Sequence, residues 1–225
     1  MKKVSLLAGV AALATLPFVA PALSATCVTG SVATYTTANF SCTLGDLSFS
    51  NFTVTTLVSN GGSVVLGNFT PFSQVINGVL ETGLTLNYDA NAPAGHVPAA
   101  TADVSWLFTV TGLNGTLITD VYASLTGTTT LDGTARLGET FSNGATLSLL
   151  TPGSTTVNFA PVGSLSLSKD QADHANTGSS ETSLLTNAFS TTAIPGPIVG
   201  AGLPGLIAAC AGLIGLARRR RRIIA

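Results

Sequence analysis

Side chains alternate between apolar and mostly polar types over residues 103–111. The apolar set is Val104, Trp106, Phe108 and Val110, with Ser105, Leu107 and Thr109 between its members. Successive side chains of a β-strand point to opposite faces of the sheet, so this period of two predicts a strand with one face in a core. An amphipathic helix is excluded here, because its apolar side chains would recur every 3.6 residues or so.

Residues 26–194 share this β character. They hold 32 Thr and no Met, and β-branched residues favour strands. Further strands are predicted at 31–37, 47–58, 63–69, 74–80, 83–88, 117–125, 145–150, 155–159, 164–169 and 183–189. Turn signals separate them at Asn60-Gly61-Gly62, Asn77-Gly78, Asn114-Gly115, Asp132-Gly133, Asn143-Gly144 and Pro152-Gly153.

Short strands joined by tight turns indicate an all-β fold. We expect an antiparallel β-sandwich, jelly-roll-like, as the ectodomain. A closed barrel is the alternative, which strand spacing does not separate from a sandwich. The longest loop is predicted at residues 90–100, which contain Pro93, Gly95 and Pro98.

Charge is scarce and unevenly placed. Only 8% of residues are charged, which excludes a disordered polyelectrolyte and a coiled coil. Residues 26–194 contain two basic residues, Arg136 and Lys169, against all ten acidic residues, a net charge of −8. The negative field argues against nucleic acid or an anionic membrane as a partner of this domain.

The first 25 residues read as a secretory signal peptide. Lys2 and Lys3 precede an apolar stretch at 4–20, which ends in small residues. This order predicts export, with cleavage by signal peptidase after Ser24 or Ala25. A retained N-terminal anchor is the alternative, which the shortness of the apolar stretch disfavours.

Export decides how the cysteines are interpreted, because exported proteins meet an oxidising compartment. Cys27 and Cys42 lie at the start of the mature chain, whereas Cys210 lies in the apolar tail. We expect Cys27 and Cys42 to form a disulfide that excludes Cys210. A zinc site is disfavoured, because no CxxC pair or cysteine-histidine cluster supplies the ligands.

The C-terminal region is an apolar stretch followed by a basic cluster. Residues 198–217 are uncharged and just long enough to span a bilayer. The cluster consists of Arg218, Arg219, Arg220, Arg221 and Arg222. By the positive-inside rule it stops transfer and stays cytoplasmic, so the domain lies outside. Glycine and proline residues weaken the spanning helix, which suggests a segment meant for processing.

Pro195, Gly196 and Pro197, the apolar stretch and the arginine cluster, in this order, resemble the PEP-CTERM sorting signal of Gram-negative bacteria in a Pro-Gly-Pro variant. Gly196 stands where the name-giving motif has Glu. In that family an exosortase in the inner membrane cleaves near the proline motif and releases the protein outward, commonly in organisms that make extracellular polysaccharide. The resemblance implies an exosortase-type enzyme as a partner and polysaccharide surroundings.

A second resemblance covers the domain. Cys42-Thr43-Leu44-Gly45-Asp46, leading into Phe49-Ser50-Asn51-Phe52, and Ser166-Leu167-Ser168-Lys169-Asp170 near its end are similar to an uncharacterised group of proteins with the same tail. That group implies no activity.

Asp170, Asp173 and His174 are the one close cluster of potential catalytic or metal-binding side chains. On a helical turn their spacing would bring them to one face. The alternative, which we favour, is a polar connection after a strand, with Lys169 alongside.

An enzyme is not expected. The sequence has no GxSxG, HExxH or phosphate-binding glycine loop. His96, with Asp89 and Glu81 upstream, is a carboxylate-histidine candidate whose geometry nothing in the sequence fixes. Paired carboxylates of a secreted hydrolase stay as an alternative. We expect no metal and no cofactor.

Aromatic residues suggest a sugar-stacking platform, because flat rings cover the apolar faces of sugars. The candidates are Trp106, Tyr35, Tyr88 and Tyr122. The alternation places Trp106 in the core and leaves the tyrosines open. Asn-X-Ser/Thr triplets begin at Asn39, Asn51, Asn68 and Asn114, which we interpret as surface positions of strands and turns.

The chain therefore divides into a signal peptide at 1–25, an ectodomain at 26–190, a linker and sorting motif at 191–197, a transmembrane helix at 198–217 and a basic cytoplasmic tail at 218–225. The first hypothesis is an exported, non-enzymatic surface or extracellular-matrix protein associated with exopolysaccharide. Its single-pass precursor would sit in the inner membrane before release to the cell surface or the medium. A carbohydrate-binding module is the second hypothesis.

The tail generates the first testable prediction, which is that the mature protein ends near Pro197. Replacing all five arginines with Ser should let the tail slip outward uncleaved, because each arginine costs about 2.5 to 3.5 kcal/mol to place in the hydrocarbon core. Replacing Pro195 and Pro197 with Ala should leave the protein anchored. Intact mass of the medium and envelope fractions checks both. Recovery of only full-length, membrane-bound protein from exosortase-containing cells contradicts the sorting hypothesis.

Overall fold

The computed structural model describes residues 25–193. In chain order the elements are β1 (Ala25–Thr26), β2 (Gly30–Ser31), α1 (Val32–Tyr35), β3 (Ser41–Leu44), β4 (Leu47–Ser59), β5 (Ser63–Ile76), β6 (Val79–Ala92), β7 (Ala100–Gly112), β8 (Thr116–Thr129), β9 (Thr134–Phe141), β10 (Thr146–Leu149), β11 (Gly153–Val162), β12 (Ser164–Ala175), β13 (Ser180–Phe189) and β14 (Thr191–Ala193).

These strands form two sheets. The first sheet has the order β1-β3-β4-β7-β12-β9-β10, and the second has the order β11-β8-β13-β6-β5-β2, with β14 also paired to β8. Pairing is antiparallel except between β1 and β3, which run parallel. The predicted all-β, sandwich-type fold is confirmed.

The core between the sheets is built around stacked aromatic rings. Trp106 and Phe108 lie on β7 with ring centroids 4.8 Å apart, and Trp106 lies 4.8 Å from Phe69 on β5 of the other sheet. All three side chains are fully buried. The alternation that predicted β7 also predicted its buried face, and both predictions are confirmed.

Two predicted strands, at 31–37 and 74–80, are wrong. Residues 31–37 were predicted as a strand, but Ser31 caps the short helix α1 by accepting a hydrogen bond from the Thr34 amide. The predicted strand 74–80 instead spans a hairpin turn, where Asn77 and Gly78 both have positive φ. That dipeptide favours a tight turn more strongly than its neighbours favour a continuous strand.

Two strands differ from the sequence prediction because their polar side chains concealed the apolar pattern. β9 was not predicted, although its buried face is Ala135, Leu137, Glu139 and Phe141. β12 was predicted to end at 169 but continues to Ala175. The predicted loop at 90–100 shrinks to 93–99, since β6 ends at Ala92 and β7 begins at Ala100.

The predicted disulfide is confirmed. Cys27 and Cys42 are joined, with Cα atoms 4.8 Å apart, and both are buried. Beside them Tyr35 is buried and donates a hydrogen bond from its hydroxyl to the Val28 carbonyl at 2.7 Å. The bond therefore anchors the start of the described chain to the first sheet.

Several predictions concern residues outside 25–193. They are the signal peptide, the sorting motif Pro195, Gly196 and Pro197, the span at 198–217, the arginine cluster and Cys210. Within the part of the chain that the structure describes, no helix has the length and apolar character needed to cross a membrane.

The disulfide generates the second prediction. Cys42→Ser should lower the free energy of unfolding by about 2 to 4 kcal/mol, because the unfolded chain loses a constraint. Denaturant unfolding of oxidised protein measures this difference. Reduced wild-type protein is the control and should match the variant, whereas a difference near zero would mean that the bond does not constrain unfolding.

Candidate functional site

The outer face of the first sheet carries rows of hydroxyl side chains. Registers between β4, β7, β12 and β9 place outward-pointing residues side by side. We call this surface the hydroxyl face. Its members are Ser48, Ser50, Thr53, Thr55, Ser105, Leu107, Thr109, Thr111, Thr140, Ser164, Ser166 and Ser168. It arises because Ser or Thr occupies most of the outward positions around Leu107 on these strands.

Cross-strand hydrogen bonds order part of this face. The hydroxyls of Thr109 and Ser166 lie 3.0 Å apart, and those of Thr111 and Ser164 lie 2.9 Å apart. Such pairs stabilise neighbouring strands and fix side-chain rotamers. Each hydroxyl still has lone pairs to accept hydrogen bonds from a ligand.

Leu107 lies in the middle of the hydroxyl face and is 43% exposed. Three shallow grooves meet at this side chain, with volumes of about 340, 260 and 180 Å³. The largest is bordered by Asn39, Phe40 and Asn51, and the other two by Ser168 among other residues. The face thus combines an apolar centre with surrounding hydroxyl and amide groups.

One end of the same outer face is charged. Asp103 and Asp170 lie there with His174, and Ser105 donates a hydrogen bond to Asp170 at 3.1 Å. The pKa of Asp103 is raised to about 7, mainly by burial and secondarily by the neighbouring Asp170 carboxylate. Asp103 therefore keeps its proton to higher pH than an exposed aspartate does.

The predicted cluster of Asp170, Asp173 and His174 does not form, and the prediction of a polar connection there is wrong too. The three residues lie within strand β12, where alternation sends Asp170 and His174 outward and Asp173 inward. His174 Nδ1 lies 3.2 Å from the Thr101 hydroxyl. Among the described residues no group of His, Cys, Asp and Glu is arranged to hold a metal ion.

Asp173 is fully buried between the sheets. It accepts hydrogen bonds from Ser180 at 2.6 Å and from Thr182 at 2.7 Å, both on β13 of the second sheet. Burial raises its pKa, and the two hydrogen bonds act in the opposite direction. Asp173 therefore connects the two sheets from within the core.

Lys169 is also in the core, contrary to its predicted place in a polar connection. Residues Val54, Trp106, Lys169 and Glu139 form one inward row across the first sheet. Lys169 Nζ lies 3.2 Å from Glu139 Oε1 and 4.5 Å from the centre of the Trp106 ring. No local pattern predicts this pair, because Glu139 and Lys169 are 30 residues apart in the chain.

The tyrosine platform is not formed by its predicted members. Tyr35 and Tyr88 are buried in the core. Tyr122 is half-buried on the outer face of the second sheet, where its ring is parallel to Phe72 within 10° at a centroid distance of 6.3 Å. Between these two rings, Gly83 on β6 and Ala188 on β13 occupy the same row of the sheet.

The four asparagines of the Asn-X-Ser/Thr triplets are exposed, as expected.

The second carboxylate-histidine candidate is also dispersed. Glu81 and Asp89 lie on β6, about 27 Å apart by the rise of a strand, and His96 packs against the turn at Gly61. Glu81 instead lies near Asp120. Burial, and secondarily the Asp120 charge, raises the pKa of Glu81 to about 7.

Comparison with known proteins adds little. No protein-family model matches the chain, and no curated protein matches it. Among solved structures, a family two carbohydrate esterase from Cellvibrio japonicus matches over 66% of this chain and 37% of its own chain, with 10% identity and a TM-score of 0.22. This chain thus spans little more than a third of that one, and so slight a likeness carries no inference about function.

The raised pKa of Asp103 generates the third prediction. Because Asp103 binds its proton more tightly when folded, stability is lost as pH rises from 3.8 toward about 7. Asp103→Asn should therefore raise the melting temperature at pH 8 and change it little below pH 3.8. Thermal unfolding across this range measures the difference. Asp46→Asn, at an exposed turn, is the control, and an equal effect of Asp103→Asn at every pH would contradict the prediction.

Proposed function

We propose that this chain is an exported, non-enzymatic surface or extracellular-matrix protein whose hydroxyl face binds extracellular polysaccharide. The observation that carries the proposal is the hydroxyl face itself, with Leu107 exposed at its centre. Sugars present hydroxyl groups around apolar C–H faces. A surface that combines hydroxyl groups with an apolar centre matches both kinds of group.

The shape of the face supports a polymer as ligand. Its three grooves meet at Leu107, so several sugar units could be contacted at once. Many weak contacts along one chain add up through effective concentration. This mode needs no enclosed pocket and suits association with a matrix.

The route to the matrix is proposed from the two ends of the sequence. A signal peptide would direct export, the span at 198–217 would hold the precursor in the inner membrane, and an exosortase-type enzyme would release it near Pro197. The disulfide between Cys27 and Cys42 supports an oxidising compartment. We also propose that the sandwich has jelly-roll-like connectivity and that the span at 198–217 is a transmembrane helix.

A second candidate site favours specific carbohydrate binding. Tyr122 and Phe72 are parallel on the outer face of the second sheet, and Tyr122 is partly exposed. Aromatic rings at a surface stack on sugar rings. Of the three tyrosines considered from sequence, this one supports a carbohydrate-binding module.

The fourth prediction separates the two sites. Leu107→Asp should weaken binding to purified exopolysaccharide about tenfold or more, because ligand binding would desolvate an unpaired charge. Tyr122→Ala should leave that binding unchanged. Co-sedimentation with the polysaccharide measures both.

The matched control is Leu131→Asp, the same change at an exposed turn between β8 and β9. If Leu131→Asp weakens binding as much as Leu107→Asp, the effect is general charge repulsion and the hydroxyl face is not the site. If only Tyr122→Ala abolishes binding, the second site carries the function.

A further inference from the structure

A nucleophile, an amide and a carboxylate meet in the core. Lys169 on β12, Glu139 on β9 and Asn187 on β13 are each buried. Glu139 Oε1 lies 3.2 Å from Lys169 Nζ, and Asn187 Nδ2 donates hydrogen bonds to Glu139 Oε1 and Oε2, both at 3.1 Å. Glu139 Oε1 therefore contacts both Lys169 Nζ and Asn187 Nδ2, which brings the two nitrogen atoms close together.

These polar groups are incompletely satisfied. Lys169 Nζ has no well-aligned hydrogen bond despite its ion pair, and Asn187 Oδ1 has no partner among the described residues. Buried donors and acceptors without partners are costly, and a buried ion pair gains little over apolar packing. The arrangement is therefore better suited to a reaction than to stability as an ion pair.

We propose that Lys169 and Asn187 become joined by an amide bond, formed spontaneously in the folded core with Glu139 as the proton carrier. The chemistry balances without an added reagent. Lys169 Nζ, as the neutral amine, attacks Asn187 Cγ, and the new Nζ–Cγ bond replaces the Cγ–Nδ2 bond. The departing Nδ2 leaves as ammonia, so no oxidant or energy source is needed.

Glu139 is placed for both proton transfers. It accepts a proton from Lys169 across the 3.2 Å contact, which leaves a neutral amine and a neutral acid in place of two buried charges. It then protonates Nδ2, with which it already shares a hydrogen bond, and the carboxylate regenerated in this way takes the second proton that the attacking Nζ must lose. A group in contact with both the attacking and the leaving nitrogen is the arrangement that general acid–base catalysis requires.

The surroundings favour the neutral amine that the attack requires. Burial lowers the pKa of Lys169 to about 8, although the Glu139 carboxylate opposes this change. Lys169 is fully buried, and its Nζ lies over the face of the Trp106 ring. Exclusion of water also prevents hydrolysis of the new bond.

The product would connect the two layers of the sandwich. Lys169 lies on a central strand of the first sheet and Asn187 on a central strand of the second. The bond would therefore cross the core at its middle, whereas the disulfide lies near one edge. Separation of the sheets would then require breakage of a covalent bond.

The fifth prediction is tested by digestion and mass spectrometry of the folded full chain after reduction and denaturation. A glutamate-specific protease cuts after Glu139 and Glu181, which places Lys169 and Asn187 on separate peptides. We expect these peptides to stay joined, lighter by one ammonia than their sum. Separate peptides of full mass would overturn the proposal, as would loss of one water, which would mark a Lys169–Glu139 bond.

The site of the ammonia loss must be determined, because Asn-Gly pairs also lose ammonia when they form succinimides. Such loss leaves the two peptides separate, so it would overturn the proposal even if the intact mass agreed. The joined peptide must fragment with its branch at Lys169 and Asn187.

Two variants test the roles of the residues. Glu139→Gln should abolish the link, since it removes the proton carrier while keeping the side-chain shape. Asn187→Ala keeps the Lys169–Glu139 ion pair and should also give separate peptides, which covers the case in which Glu139→Gln fails to fold. A joined peptide of unchanged mass in Asn187→Ala would overturn the assignment of the acceptor.

Discussion

The placement of Lys169 inside the sandwich is the constraint on which much of the structure depends. A slip of β12 by one residue would send Lys169 to solvent and bring Ser168 and Asp170 into the core, because strand side chains alternate. Burial of an unpaired charge is so unfavourable that Lys169 must oppose Glu139 and lie beside Trp106. The ion pair thus specifies the register between β12 and β9, even if it contributes little net stability.

The hydroxyl face is a consequence of the same register. When Lys169 points inward, Ser166, Ser168 and Asp170 must point outward, where β7 offers Thr109, Leu107 and Ser105 as their direct neighbours. The hydroxyl face and the buried pair therefore lie on opposite faces of the same strand. Any change that moves the core pair also moves the surface that we propose to bind polysaccharide.

Sequence reasoning predicted what repeats locally and failed where long-range contacts decide. Alternation at Val104, Trp106 and Phe108 was sufficient for a strand and its buried face, and redox context was sufficient for the disulfide. The second half of β12 was not predicted, because its inward residues Lys169, Gln171 and Asp173 are polar, a composition typical of loops. Their burial depends on partners such as Glu139, Ser180 and Thr182, which lie on other strands. The outward hydroxyl rows were visible as composition, but their alignment into one surface requires strand registers that sequence does not specify.

Strand order has a consequence for how the chain folds. β7 lies between β4 and β12, so it acquires its second neighbour only when residues 164–175 arrive, about 60 residues after β7 itself. Until then one edge of β7 has unpaired backbone groups, and a sheet edge of that kind readily pairs with another chain. Contacts so distant in sequence also slow folding. The interval before the first sheet closes is thus when this chain is most exposed to aggregation, and the scarcity of charge along β7 adds to that risk.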